Sequence, residues 1–148
     1  MIRVYTDGSY RKLLNSAGAG VVIIWEDGTM SCYHKYLGDT TNNCAELHAI
    51  KHGLCRVLIE AGGAVPVTVY SDSTYALGIA GETMKAKANK ELAHETRIIA
   101  SEFTHLKFKW VKGHSRDKYN KIADLLANVA IDQELGLEEN YNQDSQPV

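Results

Sequence analysis

The sequence lacks several features that would assign it to a class at once. No apolar run approaches the ~20 residues of a membrane-spanning helix, and the N-terminus lacks the layout of a secretion signal. Its three cysteines show no CxxC spacing and offer zinc no suitable set of ligands. We therefore expect a cytoplasmic protein with reduced thiols and no membrane partner.

A strong positive charge is also missing. The net charge is −2 at pH 7, so the composition does not by itself indicate a nucleic-acid partner, although a local basic patch can still bind one. Residues 107–121 are rich in Lys and Arg, whereas the end of the chain is acidic. We expect one domain over residues 1–135, followed by an acidic, flexible tail over residues 136–148.

Apolar periodicity predicts an α/β fold. Residues 1–7, 19–26 and 30–37 resemble strands with no room for helices between them, which favours an antiparallel meander. The elements expected next are a helix at 44–61, a strand at 67–73, helices at 73–81 and 87–103, a strand at 105–111 and a helix at 120–135. This order predicts a mixed sheet with helices on its faces. The last helix is expected to turn Ile122, Leu125, Leu126 and Val129 inward.

Two aspartates follow similar apolar stretches. Asp7 ends the first predicted strand, and Asp72 ends the fourth. Either one alone is more simply explained as a turn residue. If the two strands are neighbours, however, both carboxylates lie at one edge of the sheet.

Two further acidic residues lie on predicted helices. Glu46 falls at the margin of an apolar stripe, where it points partly toward the sheet, but it could equally be a first-turn glutamate that stabilises the helix N-terminus. Asp124 falls away from the apolar stripe of the last helix, and taken alone it is an exposed aspartate.

Together, Asp7, Glu46, Asp72 and Asp124 suggest a metal site. Carboxylates gathered without basic partners repel one another unless a cation lies among them. Hard oxygen ligands suit Mg²⁺. Two such ions about 4 Å apart could activate a water molecule and stabilise the leaving oxygen of a phosphodiester.

Five stretches, taken in order, resemble ribonuclease H of type 1. They are YTDGS (5–9), TTNNCAELHAI (40–50), YSDSTYALGI (70–79), WVKGHS (110–115) and NKIADLLAN (120–128). The resemblance implies a five-stranded mixed sheet in the order 3-2-1-4-5 with helices on both faces. It also implies hydrolysis of the RNA strand of an RNA–DNA hybrid, leaving a 5′-phosphate and a 3′-hydroxyl.

The same resemblance assigns roles to individual residues. Asp7, Glu46, Asp72 and Asp124 match the family's metal-binding carboxylates, which would hold two Mg²⁺ ions or Mn²⁺ as a substitute. His114 matches a catalytic histidine that assists proton transfer. Four residues match substrate contacts of the family: Thr41, Asn42, Asn43 and Asn120. Three lysines are expected to add further substrate contacts: Lys85, Lys87 and Lys90. A monomer that binds the hybrid duplex is expected.

Two stretches depart from the family pattern. The loop after Asp7 lacks the usual Asn-Pro-Gly form, and the interval 74–104 has no Trp where some members carry a basic, Trp-bearing protrusion. The lysines of KAKANK (85–90) would replace that protrusion, unless they are simply a solvated helix face.

Two other functions remain open at this level. A related metal-dependent nuclease or integrase-like enzyme could act on DNA, but TTNN before Glu46 and the WVKGHS stretch speak against it. A non-catalytic hybrid-binding module would be expected to have lost at least one of the four carboxylates, and all are present.

Overall fold

A computed structural model describes residues 1–113 and 117–137. Within these residues the strands are β1 (Ile2–Arg11), β2 (Ser16–Ile24), β3 (Met30–Gly38), β4 (Val67–Ser71) and β5 (Leu106–Trp110). The helices are α1 (Asn42–Ala61), α2 (Thr74–Ala80), α3 (Lys90–Ser101) and α4 (Lys118–Glu134), and a short 3₁₀ helix occupies Lys12–Leu14. Most of the predicted acidic tail lies outside the described residues.

The strands form one sheet in the order β3-β2-β1-β4-β5. β1 pairs antiparallel with β2, and β2 with β3, whereas β1–β4 and β4–β5 are parallel pairs. The mixed sheet and its order are therefore confirmed. Over the described ranges, no helix is long and apolar enough to cross a membrane.

The sequence pattern predicted that strand β1 ends at Asp7, and this was wrong. The strand continues to Arg11 because its hairpin partner β2 keeps pairing with it as far as Arg11 and Ser16. The parallel pairing with β4 stops earlier, at Tyr5 and Tyr70. Asp7 therefore lies in the part of β1 that is paired with β2 alone.

One face of the sheet carries the larger apolar core. Helix α1 covers β1 and β2 there, and α2 and α3 pack beside it. The buried residues of α1 include Leu47, Ile50, Leu54 and Val57, the stripe that its periodicity predicts. Burying such side chains contributes about 1.5–3 kcal/mol each.

Helix α4 covers the opposite face, and the predicted inward stripe is confirmed in part: Ile122 and Leu126 pack against the smaller core of Tyr5, Val22 and Ile24, whereas Leu125 does not face inward. Its fully or nearly buried apolar residues are Ala123, Ala127, Ala130 and Ile131, while Leu125 is 51% exposed. Small side chains face the sheet because the helix backbone runs very close to two glycines of β2. A methyl group added at Gly20 would lie 2.1 Å from the Ala123 carbonyl oxygen, and one at Gly18 would lie 2.2 Å from that of Ala127.

Helix α3 begins later than predicted. Asn89 has a left-handed backbone (φ 55°), so the helix starts at Lys90 and not at residue 87. Lys85 and Lys87 therefore lie in the preceding loop, not on a helix face. Arg97 of α3 donates hydrogen bonds to the carbonyl oxygens of Met84 in that loop (2.8 Å) and of Ile79 in α2 (2.9 Å).

Candidate active site

The parallel pairing of β1 and β4 brings two aspartates together. Tyr5 and Tyr70 are register partners and stack with their ring centroids 4.6 Å apart. Asp7 follows Tyr5 by two residues, and Asp72 follows Tyr70 by two. Both carboxylates consequently lie just beyond the last residues that β1 and β4 pair with each other, at one edge of the parallel part of the sheet.

Helix α1 adds Glu46 to this pair. Thr41 caps the helix by accepting a hydrogen bond from the Cys44 amide (3.1 Å), and Glu46 lies in the following turn. Its approach to β1 requires glycine at position 8, because a methyl group there would lie 2.5 Å from the Glu46 amide nitrogen. Glu46 is only 4% exposed and Asp7 only 5%.

The three carboxylates form a compact cluster. Asp7, Glu46 and Asp72 each offer an oxygen within 4.8 Å of the others. Asp124 reaches the same site from α4 and lies beside Asp7 and Asp72. A cleft beside the cluster is lined by Asp7, Asp72, Asn120, Lys121 and Asp124.

Burial and mutual repulsion disfavour ionisation of these groups. Burial, followed by the charges of Glu46 and Asp72, raises the pKa of Asp7 to about 10. Burial and the charge of Asp72 raise the pKa of Glu46 to about 8. Both carboxyl groups are therefore held toward their protonated forms when no cation is present.

The cluster fits a hard divalent cation. Glu46 Oε2 is buried and has no hydrogen-bond partner among residues 1–113 and 117–137, an expensive state for a carboxylate oxygen unless a ligand completes it. The donor set consists of carboxylate oxygens, the ligands that Mg²⁺ and Mn²⁺ prefer. A cation would also favour the ionised forms that burial opposes.

The predicted ribose and phosphate contacts lie at the N-terminus of α1. Thr41, Asn42 and Asn43 are all exposed. Thr41 uses its hydroxyl oxygen as the helix cap, so its capping role is real and leaves the hydroxyl proton free to donate. These three residues therefore face solvent on the same helix that supplies Glu46.

The remaining predicted residues differ in their placement. His114 lies outside the described residues, but Gly113, just before it, packs against Asp72, where an added methyl group would lie 3.0 Å from Oδ2. Asn120 is 3% exposed and lines the cleft. Lys85, Lys87 and Lys90 are exposed and are not part of the carboxylate cleft.

Sequence reasoning missed several side chains near the site. Lys121 lines the cleft three residues before Asp124, a helical spacing that could have identified it. Asn128 donates to the Asp124 carbonyl oxygen (3.0 Å) and contacts Ser9 of β1 (3.0 Å). The contact with Ser9 could not be found in the sequence, because its two residues are 119 positions apart and meet only where α4 packs against β1.

Comparison with known proteins identifies the family. The model of the RNase H family matches residues 1–132. The chain belongs to the RNase H family. A ribonuclease H of Wolbachia from Drosophila simulans is 32% identical over 143 residues, covering 88% of this chain and 94% of that protein. One of Ruthia magnifica is 33% identical over 148 residues, covering 89% and 96%.

Solved structures of family members share the fold. LC11-RNase H1, solved in complex with an RNA/DNA hybrid, is 32% identical with a TM-score of 0.78, covering 91% of this chain and 99% of that one. The N-terminal RNase H domain of a Mycobacterium tuberculosis protein is 26% identical with a TM-score of 0.79, covering 91% and 96%. The chain is thus a ribonuclease H by sequence and by fold.

Proposed function

We propose that this protein is an endonuclease that hydrolyses the RNA strand of RNA–DNA hybrids, leaving 5′-phosphate and 3′-hydroxyl ends. The carboxylate cluster at the edge of an RNase H sheet is the observation that carries the proposal. The hybrid bound to LC11-RNase H1 supports the same substrate for this chain.

Asp7, Glu46, Asp72 and Asp124 would hold the catalytic cations. The buried Glu46 Oε2, which lacks a partner among the described residues, supports a cation at this position, and a cation would offset the repulsion from Glu46 and Asp72 that helps to raise the pKa of Asp7. Two Mg²⁺ ions, or Mn²⁺ in their place, would supply activation of a water molecule and stabilisation of the leaving oxygen. The protein's own part is to hold its oxygens in place on two strands and two helices, so that little reorganisation is needed at the moment of reaction.

Substrate discrimination would come from the N-terminus of α1. RNA differs from DNA by a 2′-hydroxyl that both donates and accepts hydrogen bonds, and the side-chain amides of Asn42 and Asn43 can answer both roles. Thr41 and the free amides of the first helical turn suit a phosphate. Recognition by backbone and shape implies little sequence preference.

The other assignments complete this proposal. His114 would transfer a proton at the leaving 3′-oxygen, and Asn120 would contact the substrate beside the scissile phosphate. Backbone phosphates of the substrate would be bound by three lysines: Lys85 and Lys87 in the loop before α3, and Lys90 in its first turn. We further propose a cytoplasmic monomer with a domain over residues 1–135 and an acidic tail over residues 136–148.

A cleavage assay tests the function. The wild type is incubated with labelled hybrid, double-stranded RNA, double-stranded DNA and single strands, with Mg²⁺ and with EDTA. We expect cutting of the RNA strand of the hybrid alone, and only with the metal. Glu134→Gln, which removes an exposed carboxylate at the far end of α4, is the matched control and should cleave like the wild type. Cutting in EDTA, or preferential cutting of DNA, would overturn the proposal.

A further inference from the structure

A row of polar residues on β1 faces a row on α4. Asp7, Ser9 and Arg11 alternate along β1 and so share one face of the strand. Asp124, Asn128 and Asp132 are spaced four apart on α4 and so share one stripe of the helix. Two strand residues advance about 6.7 Å and four helix residues about 6 Å, so the two rows stay in step.

The rows meet in three rungs. At the active site, Asp124 and Asp7 line the same cleft. In the next rung Ser9 Oγ donates to Asn128 Oδ1 over 3.0 Å. In the last, Arg11 forms an ion pair with Asp132, which is 4% exposed, and Arg11 Nη2 also donates to Asn128 Oδ1 over 3.0 Å.

These contacts fix the orientation of the Asn128 amide. Its oxygen accepts from two donors on β1, so its nitrogen must face the other way. That nitrogen donates to the Asp124 carbonyl oxygen (3.0 Å) and lies 3.5 Å from Asp124 Oδ1. Asn128 therefore connects the active-site turn of α4 to the strand that carries Asp7.

The apolar part of this interface is less directional than the polar row. Gly18 and Gly20 of β2 bring the backbone of α4 close to the sheet, and Ile122 and Leu126 pack against the Tyr5, Val22 and Ile24 cluster. Directional hydrogen bonds restrain the position of the helix along its axis.

We propose that Asn128, held by Ser9 and Arg11, is a positioning residue that sets where the Asp124 carboxylate lies relative to Asp7. The inference rests on the proposed function, because its consequence is the affinity of the site for Mg²⁺. Asn128 itself need not touch a metal ion or substrate. Outer partners of metal ligands act in this way, and their removal costs roughly 10–100-fold in metal affinity or activity.

The test compares Asn128→Ala with Gln133→Ala, which removes an exposed amide side chain from the same helix. Calorimetric titration of Mg²⁺ into the substrate-free protein gives the metal affinity, and assays at saturating Mg²⁺ give KM for the hybrid. We expect Asn128→Ala to weaken Mg²⁺ binding roughly tenfold while KM changes less than about twofold. Gln133→Ala should match the wild type in both.

A double-mutant cycle separates positioning from general destabilisation. If Asn128 acts through Asp124, then Asn128→Ala should have no further effect on Mg²⁺ binding in an Asp124→Asn background. An equal loss of affinity in both backgrounds, or Asn128→Ala binding Mg²⁺ like the wild type, would overturn the inference. A wild type that neither binds Mg²⁺ nor cleaves hybrid would instead overturn the proposed function.

Ser9→Ala provides a milder variant if Asn128→Ala fails to fold. Arg11 still holds the Asn128 oxygen in this variant, so we expect Mg²⁺ affinity to fall by a smaller factor, roughly threefold. Wild-type affinity in folded Ser9→Ala, together with an unfolded Asn128→Ala, would show that the row is structural and would overturn the inference.

Discussion

Helices α1 and α4 cover opposite faces of the same sheet with different kinds of side chain. α1 buries large apolar residues such as Leu47, Ile50 and Leu54. Glu46 is buried on the same helix, next to Leu47. α4 packs through alanines against glycines of β2, adds the half-buried Ile122 and Leu126, and is joined to β1 by hydrogen bonds. We infer that the packing of large apolar side chains positions Glu46, whereas directional hydrogen bonds position Asp124.

The largest effect is expected from Asp7, which lies beside both Glu46 of α1 and Asp124 of α4. Asp7→Asn should lower hybrid cleavage by at least about 10³-fold, the equivalent of about 4 kcal/mol in the barrier. Single-turnover cleavage measures the loss. Circular dichroism should show an intact fold, and a collapsed fold would mean that Asp7 is structural.

Substitutions within the two interfaces should have different consequences. Leu54→Ala leaves a cavity beneath α1 and should cost about 2–5 kcal/mol of stability, with little change in Mg²⁺ affinity. Gly20→Ala pushes α4 away from β2 and should cost about 1–3 kcal/mol, with clearly weaker Mg²⁺ binding. Urea unfolding and Mg²⁺ titration of both variants measure the two effects. Equal changes in Mg²⁺ affinity would remove the distinction between the interfaces.

The metal-free protein should lose stability as pH rises. The pKa of Asp7 is raised to about 10 and that of Glu46 to about 8, above the unfolded values near 4. Protonated carboxyls are therefore favoured by folding, and this contribution is complete below about pH 4 and is lost as pH rises through the folded values.

Thermal unfolding in EDTA measures this effect. The melting temperature of Asp7→Asn minus that of the wild type should increase from pH 5 to pH 9, and Mg²⁺ should reduce the difference at pH 9. A difference that is independent of pH would show that Asp7 ionises in the folded protein as it does in the unfolded chain.

The smallest effect is expected from the exposed lysines, which lie outside both interfaces. Replacing Lys85, Lys87 and Lys90 together with Ala should weaken hybrid binding and reduce its salt slope by up to about 0.9 for each phosphate that the variant no longer neutralises. Lys107→Ala is the control, because Lys107 pairs with Thr68 at the opposite end of the parallel strands. An unchanged slope in the triple variant would refute phosphate binding by these lysines.

The same comparison explains how far the sequence could predict the structure. Periodicity located the elements and the stripe of α1, because large apolar side chains give a strong signal. On α4 it predicted Ile122 and Leu126 but not the alanines that make the closest contact, since the backbone there approaches Gly18 and Gly20 too closely for larger side chains. The end of β1 was also missed, because hairpin pairing with β2 is independent of the charge on Asp7.

The site was predictable in part for a related reason. Asp7 and Asp72 follow matching tyrosines in neighbouring strands, so the local pattern already brings them together once the strand order is known. The positions of Asp124 and Asn128 depend on contacts with β1 more than a hundred residues away in the chain. The local sequence pattern does not predict how α4 is aligned with β1.

Crystals of the wild type and of Asp7→Asn soaked in Mn²⁺ test the central claim most directly. Anomalous diffraction should place Mn²⁺ between Asp7, Glu46 and Asp72 in the wild type and show weaker or absent density there in the variant. A wild-type cluster without Mn²⁺, at concentrations that support hybrid cleavage, would contradict the account.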